Sequence, residues 1–366
     1  MKGPPRHKRR KTVTMRKYIL IFIILIPVIL SLCLFPAGCG WAAGSTADTG
    51  KLSIVTTNFP IYDFARQICK DAANVTLLLP PGTESHTYEP SPRDIIKIQD
   101  CDLFIYIGGN DDTWVDKILS NMDKPVTAIK MMDHVDPLSD ETMEEMENGT
   151  PAGGNSGSSG SGGNFGGNFG GNSGDNNSNN SAGNNAANYD PHIWTAPKNA
   201  VKMVTAILDE ICKLPKNGND TGNDFYKSNA QAYIDKINKL DTDFAGFFQT
   251  VKNKTLIFGD RFPFRYFADS YGLTCYAAFS SCSDQSEPGT ATVAFLIDKV
   301  KKEKVSTIFY IEFSNHIVAD NIARSTGAKT ALLSSCHNVS SSEMKNGATY
   351  VSLMEQNLTT LKGAMN

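Results

Sequence analysis

Apolar residues are distributed in three ways along the 366-residue chain. One unbroken run occupies 18–35. Short runs then alternate with stretches whose apolar positions recur every three or four residues. Between the two sets of short runs lies a segment with no periodicity. The short runs "LSIVTT" (52–57), "NVTLLL" (74–79), "LFIYI" (103–107) and "PVTAI" (125–129) are predicted as buried strands. Ile61, Phe64, Ala65 and Ile68 lie on one predicted helical face between the first two. Ser91-Pro92-Arg93-Asp94 supplies an N-cap, a first-turn proline and a capping-box acid for the next helix. The alternation returns in "TLIF", "TCYAAF", "STIFYI" and "KTALL", all beyond residue 254. Between the two sets, 223–252 places Phe225, Ala232, Tyr233, Lys236, Ile237, Leu240, Phe244 and Phe247 at near-helical spacing. The predicted fold class is α/β: two lobes, each a central parallel sheet flanked by helices, joined by a rigid long helix.

The aperiodic segment, 149–188, is almost only Gly, Asn, Ser and Ala, and Asp175 is its sole charge. Such a composition does not offset the entropy of ordering, so it reads as a flexible insert. Forty residues of this kind extend over roughly 35 Å r.m.s.. The expected organisation is therefore a first lobe at 52–148, the insert at 149–188, the end of the first lobe at 189–222, a linking helix at 223–253 and a second lobe at 254–366. The acidic stretch 133–149 reads as a solvated loop.

The first run changes the picture of where the protein resides. Eight Lys/Arg and no acid precede and flank it, the order of a secretory signal. It ends in "FPAGCG", where small residues precede Cys39. Cleavage there with lipid attachment to Cys39 is expected, although about eighteen apolar residues would also just span a bilayer. Residues 1–38 are thus a signal peptide and 39–51 a tether. The remainder is extracytoplasmic, anchored to the cell membrane as a lipoprotein. Without the eight basic residues of the signal, 27 of the 35 Lys+Arg stand against all 38 Asp+Glu, a net charge near −11. Nucleic acid is excluded as a natural partner and a cation is favoured. Six cysteines follow Cys39, an even number that permits disulfides in an exported chain.

Parallel sheets bind ligands beyond the carboxyl ends of their strands. Four such loops carry metal-capable groups: His86 in "PPGTESHTYEPSPRDI", His192 in "NYDPHIWTAP", Asp260 in "GDRFPFRYF", and Cys336 with His337 in "SSCHN". Each is a weak signal alone, and their coincidence at one edge of an acidic exported protein makes a joint case. Glu84 or Glu89 is placed to orient the second nitrogen of His86. Trp114 and Trp194 are candidates for the cleft wall or for packing. His134 reads as a solvated loop residue and His316 as a structural residue at a helix start.

"LLLPPGTESHTYEPSPRDI", "DLFIYIGGNDDTWVDKIL" and "DPHIWTAPKNA" resemble signature segments of the substrate-binding lipoproteins of zinc and manganese ABC importers. The similarity continues through "FYIEFSNHIVADNIARSTGAK" to "NGATYVSLMEQNLTTLKGAM". The resemblance implies two α/β lobes, a rigid connecting helix and one metal in the cleft. It carries the first two family ligands onto His86 and His192. The third falls on Arg261, which cannot ligate, with Asp260 beside it as the nearest substitute. The fourth falls within "SSCHN", where His337 is the candidate. Cys282 and Cys336 would either form a disulfide bracing the site or leave Cys336 to ligate as thiolate.

The expected ligand set is thus His86, His192, Asp260 and His337. Imidazoles with one carboxylate suit Zn2+. Mn2+ gains ground if Glu287 or another acid replaces His337. The expected role is non-enzymatic capture of the ion by a monomeric receptor and delivery to an ABC permease with its ATPase subunit. Two alternatives are an exported zinc hydrolase with Glu312 as base, and an adhesion lipoprotein with a degenerate site.

Overall fold

The computed structural model describes Gly3 and residues 50–85, 88–109, 112–122, 124–140, 189–215, 220–283 and 287–365, without the side chains of 220–222. The signal peptide, Cys39, nearly all of the tether and the insert lie outside the described residues. Residues Lys51–Asn366 form one compact unit.

Every apolar run read as a strand is one. The first sheet contains β1 (Leu52–Thr56), β2 (Ala73–Leu77), β3 (Leu103–Tyr106) and β4 (Ala128–Lys130), in the order β2-β1-β3-β4. The second contains β5 (Thr255–Phe258), β6 (Thr274–Ala277), β7 (Thr307–Tyr310) and β8 (Lys329–Leu332), in the order β6-β5-β7-β8. All pairings are parallel, with Ile54 opposite Leu103 and Ile257 opposite Ile308. β3 is buried along its whole length, as expected of a strand covered on both faces.

Helices α1 (Phe59–Cys69), α2 (Pro92–Asp100), α3 (Thr113–Ser120) and α4 (Pro197–Lys213) belong to the first half, and α5 (Asp220–Thr250) follows them. The second half adds α6 (Arg265–Tyr271), α7 (Thr290–Glu303), α8 (Ile317–Thr326), α9 (Ser341–Lys345) and α10 (Tyr350–Ala364). Ile61, Phe64, Ala65 and Ile68 of α1 are all buried. The box at the start of α2 forms as read: Ser91 Oγ accepts from Asp94 N, and Asp94 accepts from Ser91 N at 3.0 Å. Such caps contribute about 1 kcal/mol each.

The 31 residues of α5 extend over about 46 Å at 1.5 Å per residue. Most of the expected face is buried: Tyr233, Ile237, Leu240, Phe244 and Phe247. It departs at Phe225, which is 45% exposed, and at Ala232 and Lys236, which also face solvent. Tyr226, Ala230 and Phe248 complete the buried stripe. These positions recur in steps of three and four, with Phe247 and Phe248 both inward, so the apolar stripe holds one side of the helix. Both halves contribute to a single hydrophobic cluster that runs from Leu52 to Leu361. Within it Asp63 of α1 accepts hydrogen bonds from Tyr233 Oη of α5 at 2.5 Å and from Tyr350 N of α10 at 2.9 Å. Ser139 and Tyr189 form an antiparallel bridge, which brings together the described residues on either side of 141–188.

Candidate metal centre

The loop that follows β2 is seated on the loop that follows β8. Asn338 Nδ2 donates to Pro80 O at 2.8 Å and to Thr83 O at 2.9 Å, and Gly82 N donates to Val339 O at 2.8 Å. The loop turns at Gly82, where φ is +84°, a conformation glycine adopts at no steric cost. His86 lies outside the described residues. Ser85, just before it, hydrogen-bonds through Oγ to His337 Nδ1 at 3.0 Å.

His192 is almost fully buried. Asp190 Oδ1 accepts from its backbone N at 2.7 Å and pairs with its Nδ1 at 2.9 Å. A carboxylate on Nδ1 fixes the tautomer, leaves the lone pair on Nε2 and raises the basicity of the ring. Two tyrosines of the second half hold this loop: Tyr266 Oη donates to Asp190 O and Tyr350 Oη to Trp194 O, both at 2.8 Å.

His337 is held in a different way. Glu312, just beyond β7, accepts from Ser335 N at 2.7 Å, Ser335 Oγ at 2.6 Å and His337 N at 3.0 Å. Burial pushes its carboxyl above the ordinary range, and the bonds from Ser335 and His337 pull it back. Between Ser335 and His337 the chain passes through Cys336 with φ +61°, a left-handed conformation costly for a residue with a side chain. Ser334 Oγ accepts from Cys336 N there at 3.1 Å.

The two imidazoles meet. Their ring centroids are 5.5 Å apart at 86°, and Trp194 lies 5.3 Å from His192 and 4.9 Å from His337. Trp194 is fully buried and donates from Nε1 to Ser335 O at 2.7 Å, so it walls the centre and braces the His337 loop together. Trp114 instead packs against Phe104 and Tyr88, within the core of the first sheet. His192 and His337 line one small cavity with Glu84, Ser85, Ser281 and Glu312. A neighbouring cavity of about 210 Å³ shares Glu84 and Glu312 and adds Asp260 and Arg261.

Asp260 is buried, but its carboxylate is engaged by the backbone: Oδ1 accepts from Arg261 N at 2.8 Å and Oδ2 from Ile311 N at 3.1 Å. It borders the neighbouring cavity, not the one that the imidazoles line. Arg261 donates from Nε to Ser283 O at 2.7 Å, and its Nη1 stands 3.7 Å from Glu84 Oε2. Cys336 is an unlinked, buried thiol, so the expected bridge to Cys282 does not form. Burial raises its pKa well above the ordinary thiol value, and the neighbouring Glu312 charge raises it further. Glu287 and His134 are exposed. His316 caps α8 with φ +45° and pairs through Nδ1 with Asp320 at 2.9 Å, a structural role as expected. Among the described residues no group of three His, Cys, Asp or Glu is assembled as a metal cluster. The described part of the centre is a pair of imidazoles, one from each half.

Comparison with known proteins follows the same lines. Residues 54–364 match the family model "ZnuA: Zinc-uptake complex component A periplasmic". The chain is 33% identical over 337 residues to the zinc-binding lipoprotein AdcA of Streptococcus pneumoniae (strain ATCC BAA-255 / R6), covering 92% of this chain and 60% of that protein. It thus spans about 60% of the length of the curated relatives of this kind. It is 32% identical to the high-affinity zinc uptake system protein ZnuA of Bacillus subtilis (strain 168), covering 92% of this chain and 96% of that one. The crystal structure of the Zn(II)-bound ZnuA-like domain of Streptococcus pneumoniae AdcA superimposes with a TM-score of 0.64 at 31% identity, over 86% of this chain and 99% of that one.

Proposed function

The chain belongs to the family of periplasmic zinc-uptake complex components, and from that premise we propose that it is an extracytoplasmic receptor that captures a divalent transition ion and delivers it to an ABC permease with its ATPase subunit. The observation that carries this reading is the pair of imidazoles, His192 and His337, drawn from separate halves of the chain onto one cavity. Each has its Nδ1 engaged, by Asp190 and Ser85 respectively. That arrangement fits a nitrogen-preferring ion and suits Zn2+ first and Mn2+ second, because calcium and magnesium take all-oxygen shells. His86, on the loop docked against Asn338, is the third imidazole of the proposed set. An ion entering there exchanges hydration water for imidazole nitrogens at roughly 2.0–2.1 Å.

The described residues of this site support capture better than hydrolysis. Glu312, the residue available as a general base, accepts three hydrogen bonds from Ser335 and His337 and serves to hold their loop. Cys39 is proposed as the lipidated residue that tethers the receptor at the membrane surface. Elemental analysis and chelator competition on residues 51–366, with zinc and manganese in turn, test the reading. About one zinc per chain is expected, with affinity reduced at least tenfold in His192→Ala and His337→Ala. A protein that takes up neither ion rejects the proposal.

A further inference from the structure

We propose that a water molecule held by Asn58 orients the Ser85 hydroxyl and thereby fixes the tautomer of His337, which makes Asn58 a positioning residue of the metal centre. This rests on the receptor reading above and deepens it by naming what prepares one imidazole for the ion.

Asn58 occupies the N-cap position of α1, where an asparagine oxygen ordinarily accepts from an N–H of the first turn. Here the side chain makes no such bond. Asn58 is 3% exposed, and its Oδ1 is buried without a hydrogen-bond partner. An oxygen left so is costly, and ordered water is the usual remedy. The bond from Phe59 N to His337 O at 3.2 Å brings the start of α1 against the loop that carries His337. Asn58, Ser85, Asp112 and His337 all border one cavity there, of about 20 Å³. That volume admits a single water, and the polar groups around it are enough to hold one.

The surroundings decide how that water points. Asp112 Oδ2 accepts from Ile107 N at 2.8 Å and from Gly108 N at 3.0 Å, so the cavity presents a carboxylate beside the Asn58 amide oxygen. Acceptors take the water's hydrogens, and its oxygen is left to accept from the Ser85 hydroxyl. Ser85 Oγ lies 3.0 Å from His337 Nδ1. A hydroxyl can donate or accept. Acting alone, Ser85 could donate to Nδ1 and leave the ring proton on Nε2, where it blocks ligation. With its hydrogen turned onto the water it can only accept, and the ring proton sits on Nδ1. The chain then runs from His337 Nδ1–H to Ser85 Oγ, from Ser85 O–H to the water, and from the water to Asn58 Oδ1. Nε2 keeps its lone pair for the ion. Asp190 does the same for His192 without an intermediary.

The test uses the full-length protein in detergent with isotope-labelled histidine. Proton–nitrogen correlation NMR reads the His337 tautomer in the metal-free state above about pH 8, where imidazoles are neutral; His337→Gln assigns the signal. In the parent the proton is expected on Nδ1. Asn58→Leu keeps the bulk and removes the acceptor. The proton should then move to Nε2, and zinc affinity from chelator competition should fall about 10- to 100-fold. Asn58→Asp returns an acceptor and should restore both readings. Asn58→Leu combined with Ser85→Ala should lose no more affinity than Ser85→Ala alone, because the asparagine acts through the serine. A parent proton on Nε2, an unchanged tautomer in Asn58→Leu, or additive losses in the double variant would each overturn the assignment. A lower melting temperature with the Nδ1 proton retained would mark Asn58 as structural only and overturn it as well. Asn58→Ala carries the same expectations where Asn58→Leu does not fold. Loss of zinc in His192→Ala beside an unchanged tautomer in Asn58→Leu leaves the receptor reading standing and removes this inference. A parent that binds no zinc rejects that reading and this role with it.

Discussion

Glu312→Gln probes the least conspicuous support of the site. The carboxylate serves three donors with two oxygens: Oε2 takes Ser335 N, and Oε1 takes Ser335 Oγ and His337 N. An amide has one oxygen. If its nitrogen replaces Oε2, Ser335 N faces another donor; if it replaces Oε1, His337 N does, while the Ser335 hydroxyl can turn and accept. In either orientation one charge-assisted bond is lost, worth about 1.5–3 kcal/mol; Ser335 N is orphaned in the first, whereas His337 N keeps Ser335 Oγ at 3.3 Å in the second. Part of this is returned, since burial of the charged form already raises the Glu312 pKa and the neutral amide avoids that cost. The net expectation is about 2 kcal/mol, or a melting temperature lowered by roughly 4 °C in a chain of this size. The same loop presents His337, so metal affinity should fall about 10- to 100-fold, as when a group supporting a metal ligand is removed. Calorimetric melting of the metal-free protein and chelator competition measure the two effects. A variant that melts within about 1 °C of the parent and binds zinc equally well would refute the role given to Glu312.

Asp63 has a pKa raised by burial, against hydrogen bonds from Tyr233, Tyr350 and Gln67. The folded chain then holds this proton more tightly than the unfolded chain, so the group's contribution to stability is full below the ordinary carboxyl value of 3.8 and is lost as pH rises through the higher folded value. Asp63→Asn should flatten that fall, and identical slopes of unfolding free energy between pH 4 and 7 in parent and variant would reject it. Imidazoles ligate only when neutral, so zinc affinity should drop below about pH 6.5; an unchanged affinity at pH 5 would exclude histidine ligation. The Cys336 thiol, buried and with a strongly raised pKa, should react with a disulfide reagent only on unfolding. Mass-spectrometric mapping that finds it labelled within minutes in the native protein would contradict its burial.

Strands and first-turn signals were legible because they are local. "LFIYI" is apolar throughout, as a strand covered on both faces requires, and Ser91 to Asp94 holds a complete cap within four residues. The stripe of α5 was legible from Tyr233 to Phe247 but not at its first turns, since Phe225 and Tyr226 are adjacent aromatics and only packing decides which turns inward. His192 and His337 were found because their loops follow recognisable elements. Asp190, two residues ahead of His192, could have been read as its orienting partner from "DPH". Glu312 could not be read as a support, because its donors lie 23 and 25 residues away and no periodicity encodes such a bond. The engagement of Asp260 was illegible for the same reason: its oxygens accept from Arg261 N and Ile311 N, and the second of these lies 51 residues away.

The hydrophobic cluster that passes from β1 through α5 to α10 has a consequence for how the molecule can be divided. Helices α1 and α4 of the first half and α6 and α10 of the second all pack on α5, so a fragment ending at either end of α5 would expose its apolar stripe to water. Swapping one half for that of a distant relative would set two foreign surfaces against each other along the same stripe. Chimeras of this chain should therefore survive when strand-end loops are exchanged and fail when whole halves are.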